Sequence, residues 1–207
     1  MGVIRASLIA LALCLPAMGM AEPSYHRVIG VAIDDVLNVR SEPSARSADI
    51  GDLPYDARRI EAFEFDPTGN WARIALNERD GWVSTRFLTR DEVPTLGETT
   101  LPQGLICGGT EPFWALGLYG TDARYSHPVD GDTDFAFDNI VTAEGRLGSP
   151  ALVTLATEDS QVIEATISGG TCFDGMSDRS YGWTITMQLI APGKRRFLSG
   201  CCHLPRD

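Results

Sequence analysis

Beyond the first 21 residues, no stretch of this chain keeps up a helical period. Its apolar residues instead fall in short alternating runs bounded by Gly, Pro, Asp and Asn, the pattern of half-buried strands. The clearest run is Tyr181-Gly182-Trp183-Thr184-Ile185-Thr186-Met187-Gln188-Leu189. Its odd positions are large and apolar and its even positions small or polar, so one face belongs to a core and the other to water. Leu152–Leu155, Val162–Ile167, Trp114–Tyr119, Phe135–Phe137 and Phe197–Cys202 extend this to six to eight short strands in the second half. The expectation is an all-β chain, its second half a small antiparallel barrel or sandwich.

Residues 1–21 differ from the rest. Arg5 is their one charged side chain, Ala6 to Leu15 is apolar, Pro16 breaks the run, and Gly19-Met20-Ala21 places small residues where a signal peptidase cleaves. The apolar run is too short for the roughly 20 residues of a membrane span. Leu13 before Cys14 argues against a lipoprotein site. The expectation is a cleaved signal peptide at 1–21 and a periplasmic or secreted protein with no transmembrane segment in the mature chain.

The whole sequence of 207 residues carries a formal net charge of -11, and losing Arg5 makes the remainder more acidic still. Such a surface disfavours nucleic acid and simple electrostatic docking on anionic lipid.

Export gives the cysteines a meaning. Once Cys14 leaves with the leader, Cys107, Cys172, Cys201 and Cys202 remain, and four thiols in an oxidising compartment form two disulfides. Adjacent strand residues point to opposite faces, so a Cys201–Cys202 bridge requires a strained ring. Cys107 and Cys172 then each take one member of that pair. Each bridge would stabilise the fold by roughly 3–4 kcal/mol. No paired C-x-x-C spacing supports the rival use as a zinc site.

All four of these cysteines lie after residue 106, and residues 91–104, with Pro94, Pro102 and three acidic side chains, read as a linker. The expected organisation is 22–90, linker 91–104, and a cysteine-containing domain 105–207. In the first part, Leu37-Asn38-Val39-Arg40-Ser41-Glu42-Pro43-Ser44 places Leu37 and Val39 on one strand face. Gly51 and Pro54 in Ile50-Gly51-Asp52-Leu53-Pro54 bracket a turn. Asn70-Trp71-Ala72-Arg73-Ile74 and Gly81-Trp82-Val83-Ser84-Thr85-Arg86-Phe87-Leu88 supply Trp71 and Trp82 to a small core, with Gly81 as a hairpin turn.

These four strings resemble the bacterial SH3 (SH3b) family and span nearly all of 22–90. The resemblance implies an SH3-like barrel of five to seven strands that binds cell-wall peptidoglycan or a peptide, in proteins that sometimes carry cell-wall enzymes as well. It does not fix a ligand surface. The residues themselves suggest Arg40 as a partner for a ligand carboxylate or a brace for its own loop. Trp71 is a stacking platform if exposed, and Phe63 and Phe65, expected to be exposed, lie beside the Asp66-Pro67 turn. The expected ligand contacts are Arg40, Phe65 and Trp71.

In the second half, Gly109-Thr110-Glu111-Pro112-Phe113-Trp114, Cys172-Phe173-Asp174-Gly175-Met176-Ser177-Asp178-Arg179 and Gly200-Cys201-Cys202 are similar to motifs of a family of exported bacterial proteins without known activity. That resemblance implies an all-β domain in which Cys172 pairs with Cys201 and Cys107 with Cys202.

Catalytic chemistry has few candidates. Glu111 and Asp174 would serve as an acid–base pair in an envelope hydrolase if they converged. Against this, Asp174-Gly175 and Ser177-Asp178 form turns, and Arg179 is suited to brace Asp178 or Glu111. His26, His127 and His203 fall in no metalloprotease motif, and His203 beside Cys202 reads as incidental to an exposed tail. Asp130-Gly131-Asp132-Thr133-Asp134 reads as a solvated hairpin loop rather than a cation site. The expectation is a binding protein rather than an enzyme, with no cofactor and no metal. The alternatives are the hydrolase and a protein–protein scaffold.

Overall fold

The computed structural model describes residues 22–206; the expected leader at 1–21 lies outside them. The chain is all-β and forms two units, each with its own core.

The first unit has seven strands: β1 (Ser24–Val28), β2 (Val36–Arg40), β3 (Asp49–Pro54), β4 (Ile60–Phe65), β5 (Trp71–Leu76), β6 (Arg79–Ser84) and β7 (Leu88–Arg90). They pair in the order β3-β2-β6-β5-β4-β1-β7. The sheet rolls around Val28, Leu37, Val39, Leu53, Ile60, Ile74 and Val83.

Alternation decides what faces that core. In β5, Ala72, Ile74 and Leu76 are buried, which turns Trp71, Arg73 and Ala75 outward. In β6, Gly81 and Val83 are buried and Trp82 is turned out. The expectation that Trp71 and Trp82 fill the core is therefore corrected: both are half-buried on the outer face. The glycine expectations also change. The β5–β6 turn is Asn77-Glu78, with Leu76 paired to Arg79 and Asn77 at φ 52°, a conformation asparagine tolerates. Gly81 lies inside β6, where a Cβ would collide with Val39 Cγ1. Gly51 and Pro54 both belong to β3.

The second unit comprises β8 (Leu105–Thr110), β9 (Phe113–Tyr119), β10 (Asp122–His127), β11 (Gly131–Thr142), β12 (Ala151–Ala156), β13 (Val162–Phe173), β14 (Ser180–Ala191) and β15 (Lys194–His203). Each strand pairs antiparallel with the next, and β15 returns to β8, closing an eight-stranded up-and-down barrel. Its core includes Leu116, Leu155, Ile163, Ile167, Trp183, Ile185 and Met187. Three strands reach 12 residues, longer than the short strands expected. Of the alternatives, barrel rather than sandwich is realised.

Cys107 is bonded to Cys202, its ladder partner across β8 and β15, and Cys172 to Cys201. Residues 91–104 are packed rather than loose: Leu96 and Leu101 join the barrel core, and Thr95 bridges Pro102.

The two units touch along the start of β14. Ser180 donates from its backbone N–H (2.8 Å) and its hydroxyl (2.6 Å) to Asp80, and accepts a bond from Arg73 (3.2 Å). Trp183 Nε1 donates to the Tyr25 hydroxyl (2.8 Å), which donates to Glu61 (3.1 Å). Gly182 is buried between them; a Cβ there would stand 2.7 Å from Pro23 and 2.9 Å from the Glu61 carboxyl carbon. The even face of β14, expected to meet water, is thus covered at its first turn by the other unit.

Candidate ligand-binding groove

A groove of about 460 Å³ opens on the first unit between the Gly30–Ala32 stretch, the outward residues of β2, and Trp71, Ser84, Arg86 and Phe87. Strand parity builds it. Leu37 and Val39 point inward, leaving Asn38 and Arg40 on the outer face. Trp71 pairs with Ser84 across β5 and β6, which brings it to the same side.

Short loops hold these groups in place. The Asp66 carboxylate accepts the Trp71 N–H (2.8 Å), and Asp66 N–H donates back to the Trp71 carbonyl (3.0 Å). Hydrogen bonding from Thr68, with help from the Trp71 N–H, lowers the Asp66 pKa below its usual value. Thr85 clamps the same loop, donating from its hydroxyl to the Gly69 carbonyl (2.8 Å). Arg40 donates to the Ser47 carbonyl (3.3 Å) and stands 3.6 Å from Asp49, so it braces the 41–48 loop while lining the groove. Arg86 lies over the Phe87 ring, 4.3 Å from its centroid.

The structure therefore brings Arg40 and Trp71 together, but not Phe65. Phe65 pairs with Ala72, whose side chain points to the core, so parity sends Phe65 to the other face of the sheet from Trp71. There it is 44% exposed and meets the His26 ring edge-on at 6.0 Å. Phe63, expected to be exposed, falls at the β4 bulge and is half-buried beneath the Arg73 guanidinium (5.2 Å). Asn38, Arg86 and Phe87 also line the groove and were not singled out from sequence. The outward parity of β2 and the end of the GWVSTRFL string were the signals that pointed to them.

Chemically, the groove sets an indole and a phenyl ring beside two guanidinium groups. It suits a ligand with a carbon surface to stack and an acidic group to pair. A larger depression of about 600 Å³ lies on the barrel, but its one guanidinium, Arg124, is held by Asp134 (2.7 Å).

Of the two carboxylates considered for catalysis, Asp174 is held in a turn and Glu111 lies apart from it. Asp174 accepts bonds from Met176 N–H (2.9 Å), Ser177 N–H (3.1 Å) and the Tyr181 hydroxyl (2.8 Å). It is opposed by partial burial, yet these bonds keep its carboxyl below the usual range, which suits a turn cap rather than a proton donor. The pocket beside it is lined by Thr110, Tyr181 and His203, among others, and not by Glu111, which sits exposed at the β8–β9 turn. Arg179 braces neither Asp178 nor Glu111; it stacks on the Tyr181 ring at 4.7 Å. His203 is half-buried at the end of β15, paired with Ile106, just before the exposed Pro205 and Arg206. In the acidic loop, Asp130 is bound by Lys194 (3.2 Å) and Arg196 (2.6 Å). Among the described residues no group of three or more His, Cys, Asp or Glu is arranged to hold a metal ion. Among the same residues no helix is long and apolar enough to cross a membrane.

Residues 35–89 match the family model of the bacterial SH3 domain. That span holds most of the groove, including Arg40 and Trp71. Neither curated proteins nor solved structures give a match to the chain.

Proposed function

We propose that this is an exported, envelope-associated binding protein whose SH3-like unit holds cell-wall peptidoglycan or a peptide in the groove of Arg40 and Trp71. The observation that carries this reading is the convergence of Trp71, Phe87, Arg40 and Arg86 on one groove, most of it inside the span similar to a bacterial SH3 domain. The Trp71 ring would stack on the carbon skeleton and the guanidinium groups would pair with a carboxylate of the peptide portion. Two disulfides in one small barrel favour an oxidising compartment, in keeping with a cleaved leader at 1–21. The barrel serves in this reading as a rigid companion module.

Co-sedimentation of residues 22–207 with insoluble peptidoglycan tests the reading. Trp71→Ala and Arg40→Ala should each lower the bound fraction while leaving the melting temperature within a few degrees. Phe65→Ala, on the other face of the sheet, asks whether contact extends beyond the groove. Equal retention of wild type and the Trp71→Ala and Arg40→Ala variants would remove the groove from the binding surface.

A further inference from the structure

The seam between the two units contains a crevice of about 370 Å³ whose walls come from both. The first unit contributes Arg59 and Glu61, and the barrel contributes Arg179, His203 and Arg206. Three arginines therefore line one small space in a chain of net charge -11, Arg59 with partners of its own. Several other arginines are matched with acids, as in Arg73 with Glu64, Arg124 with Asp134 and Arg196 with Asp130. Here, among the described residues, neither Arg179 nor Arg206 has a carboxylate within ion-pair distance, and Arg179 Nε is buried without a hydrogen-bond partner. Tyr181 beneath the Arg179 guanidinium, itself fixed by Asp174, locks that group in place. The positive charges oppose one another: Arg179 helps lower the pKa of both His203 and Arg206, after burial as the main cause. Arg179, held in place and facing no carboxylate within ion-pair distance among the described residues, with Arg206 as a second cation beside it, is the kind of pairing that recognises an oxyanion.

We propose that the crevice between the sheet unit and the barrel binds a small organic or inorganic oxyanion, a carboxylate or a phosphate, through Arg179 and Arg206. The volume sits near the lower bound for small-molecule sites, which fits a compact anion rather than a polymer. Glu61 forms part of the floor and tunes the site. Around it stand the Tyr25 hydroxyl from β1, the Gly182 N–H from β14 and the nearby Arg179. Burial raises its carboxyl to about 7, while burial and the neighbouring arginines lower the pKa of His203 to about 4. At mildly acidic pH the floor is therefore neutral and the walls cationic; at higher pH the Glu61 carboxylate repels the ligand.

Isothermal titration of the disulfide-bonded chain with citrate, and separately with inorganic phosphate, tests this at low salt and mildly acidic pH, where screening is weak. Saturable binding of at least one probe is expected, and the tighter one names the anion class. Arg179→Gln should weaken it by about tenfold or more, the loss of a charge-assisted bond. Arg179→Lys should retain part of the affinity, and Arg146→Gln, an exposed charge elsewhere, should leave it unchanged. If Arg179→Gln does not fold, Arg206→Gln provides the same comparison. Relative to Glu61→Gln, which shares the titration of the anion itself, the wild type should lose affinity as the pH rises through 7. Absence of saturable heat with both probes, or equal affinity in the Arg179→Gln and Arg206→Gln variants, would overturn the proposal. Peptidoglycan retention reports on the other groove and can fail or succeed independently.

Discussion

Glu61 makes the contact between the two units dependent on pH. It is 7% exposed, accepts the Tyr25 hydroxyl and Gly182 N–H bonds, and burial raises its carboxyl from 4.5 to about 7. The folded chain therefore holds a proton that the unfolded chain releases between these values, so Glu61 costs stability progressively as pH rises through that window. Integrated from pH 5 to pH 8, the loss comes to about 2–3 kcal/mol. His203 works in the opposite direction. Burial lowers it from 6.5 to about 4, so its contribution is complete above 6.5 and falls by roughly 2 kcal/mol on acidification to pH 5. His26, also lowered by burial, adds to that direction. The two slopes nearly cancel in the wild type, and a flat profile there says little. Glu61→Gln separates them, keeping an acceptor for Tyr25 while removing the titration. Urea unfolding followed by tryptophan fluorescence, with disulfides intact, gives ΔG for both proteins at each pH. The variant should gain on wild type by about 2–3 kcal/mol between pH 5 and pH 8. A difference constant to within about 0.5 kcal/mol across that range would mean that Glu61 titrates normally and that the buried contact is misassigned.

Three further perturbations follow from packing. Gly81→Ala drives a methyl into Val39 and close to Ile50, and should cost about 1–3 kcal/mol in chemical denaturation. Gly182→Ala pushes on Pro23 and the Glu61 carboxyl. It should loosen the seam, raising protease sensitivity of the 91–104 segment while the barrel's near-ultraviolet circular dichroism persists. Replacing Cys107 and Cys202 together by Ala opens a link across 95 residues, against 29 for Cys172 and Cys201. The first pair should cost roughly 4–5 kcal/mol and the second roughly 3–4 kcal/mol, measured by thermal unfolding of each double variant.

The sequence carried the all-β class because period-two alternation is a local signal, and from Trp183 to Leu189 of β14 it points to the buried face residue by residue. Which aromatic sits inside was harder to read, because residue type and strand parity disagree. Trp71 and Trp82 are large enough for a core, but their neighbours Ala72 and Val83 hold the inward positions. Gly81 shows the same limit: a glycine beside a tryptophan suggests a turn, whereas its cause is Val39 on another strand. Barrel closure rests on β15 meeting β8, with Cys202 opposite Cys107 from 95 residues away, and no local pattern encodes that. Arg40 and Trp71 were legible as site candidates because both lie in strings that alternate. The seam crevice was not, since Arg59, Arg179 and Arg206 come together only when two separately folded units dock.

The most direct test of the account is the fraction of residues 22–207 that co-sediments with insoluble peptidoglycan, compared with the Trp71→Ala variant at matched stability. Retention of the wild type with clear loss in the variant is the predicted result. No retention of the wild type, or retention indifferent to Trp71, would contradict a wall-binding groove.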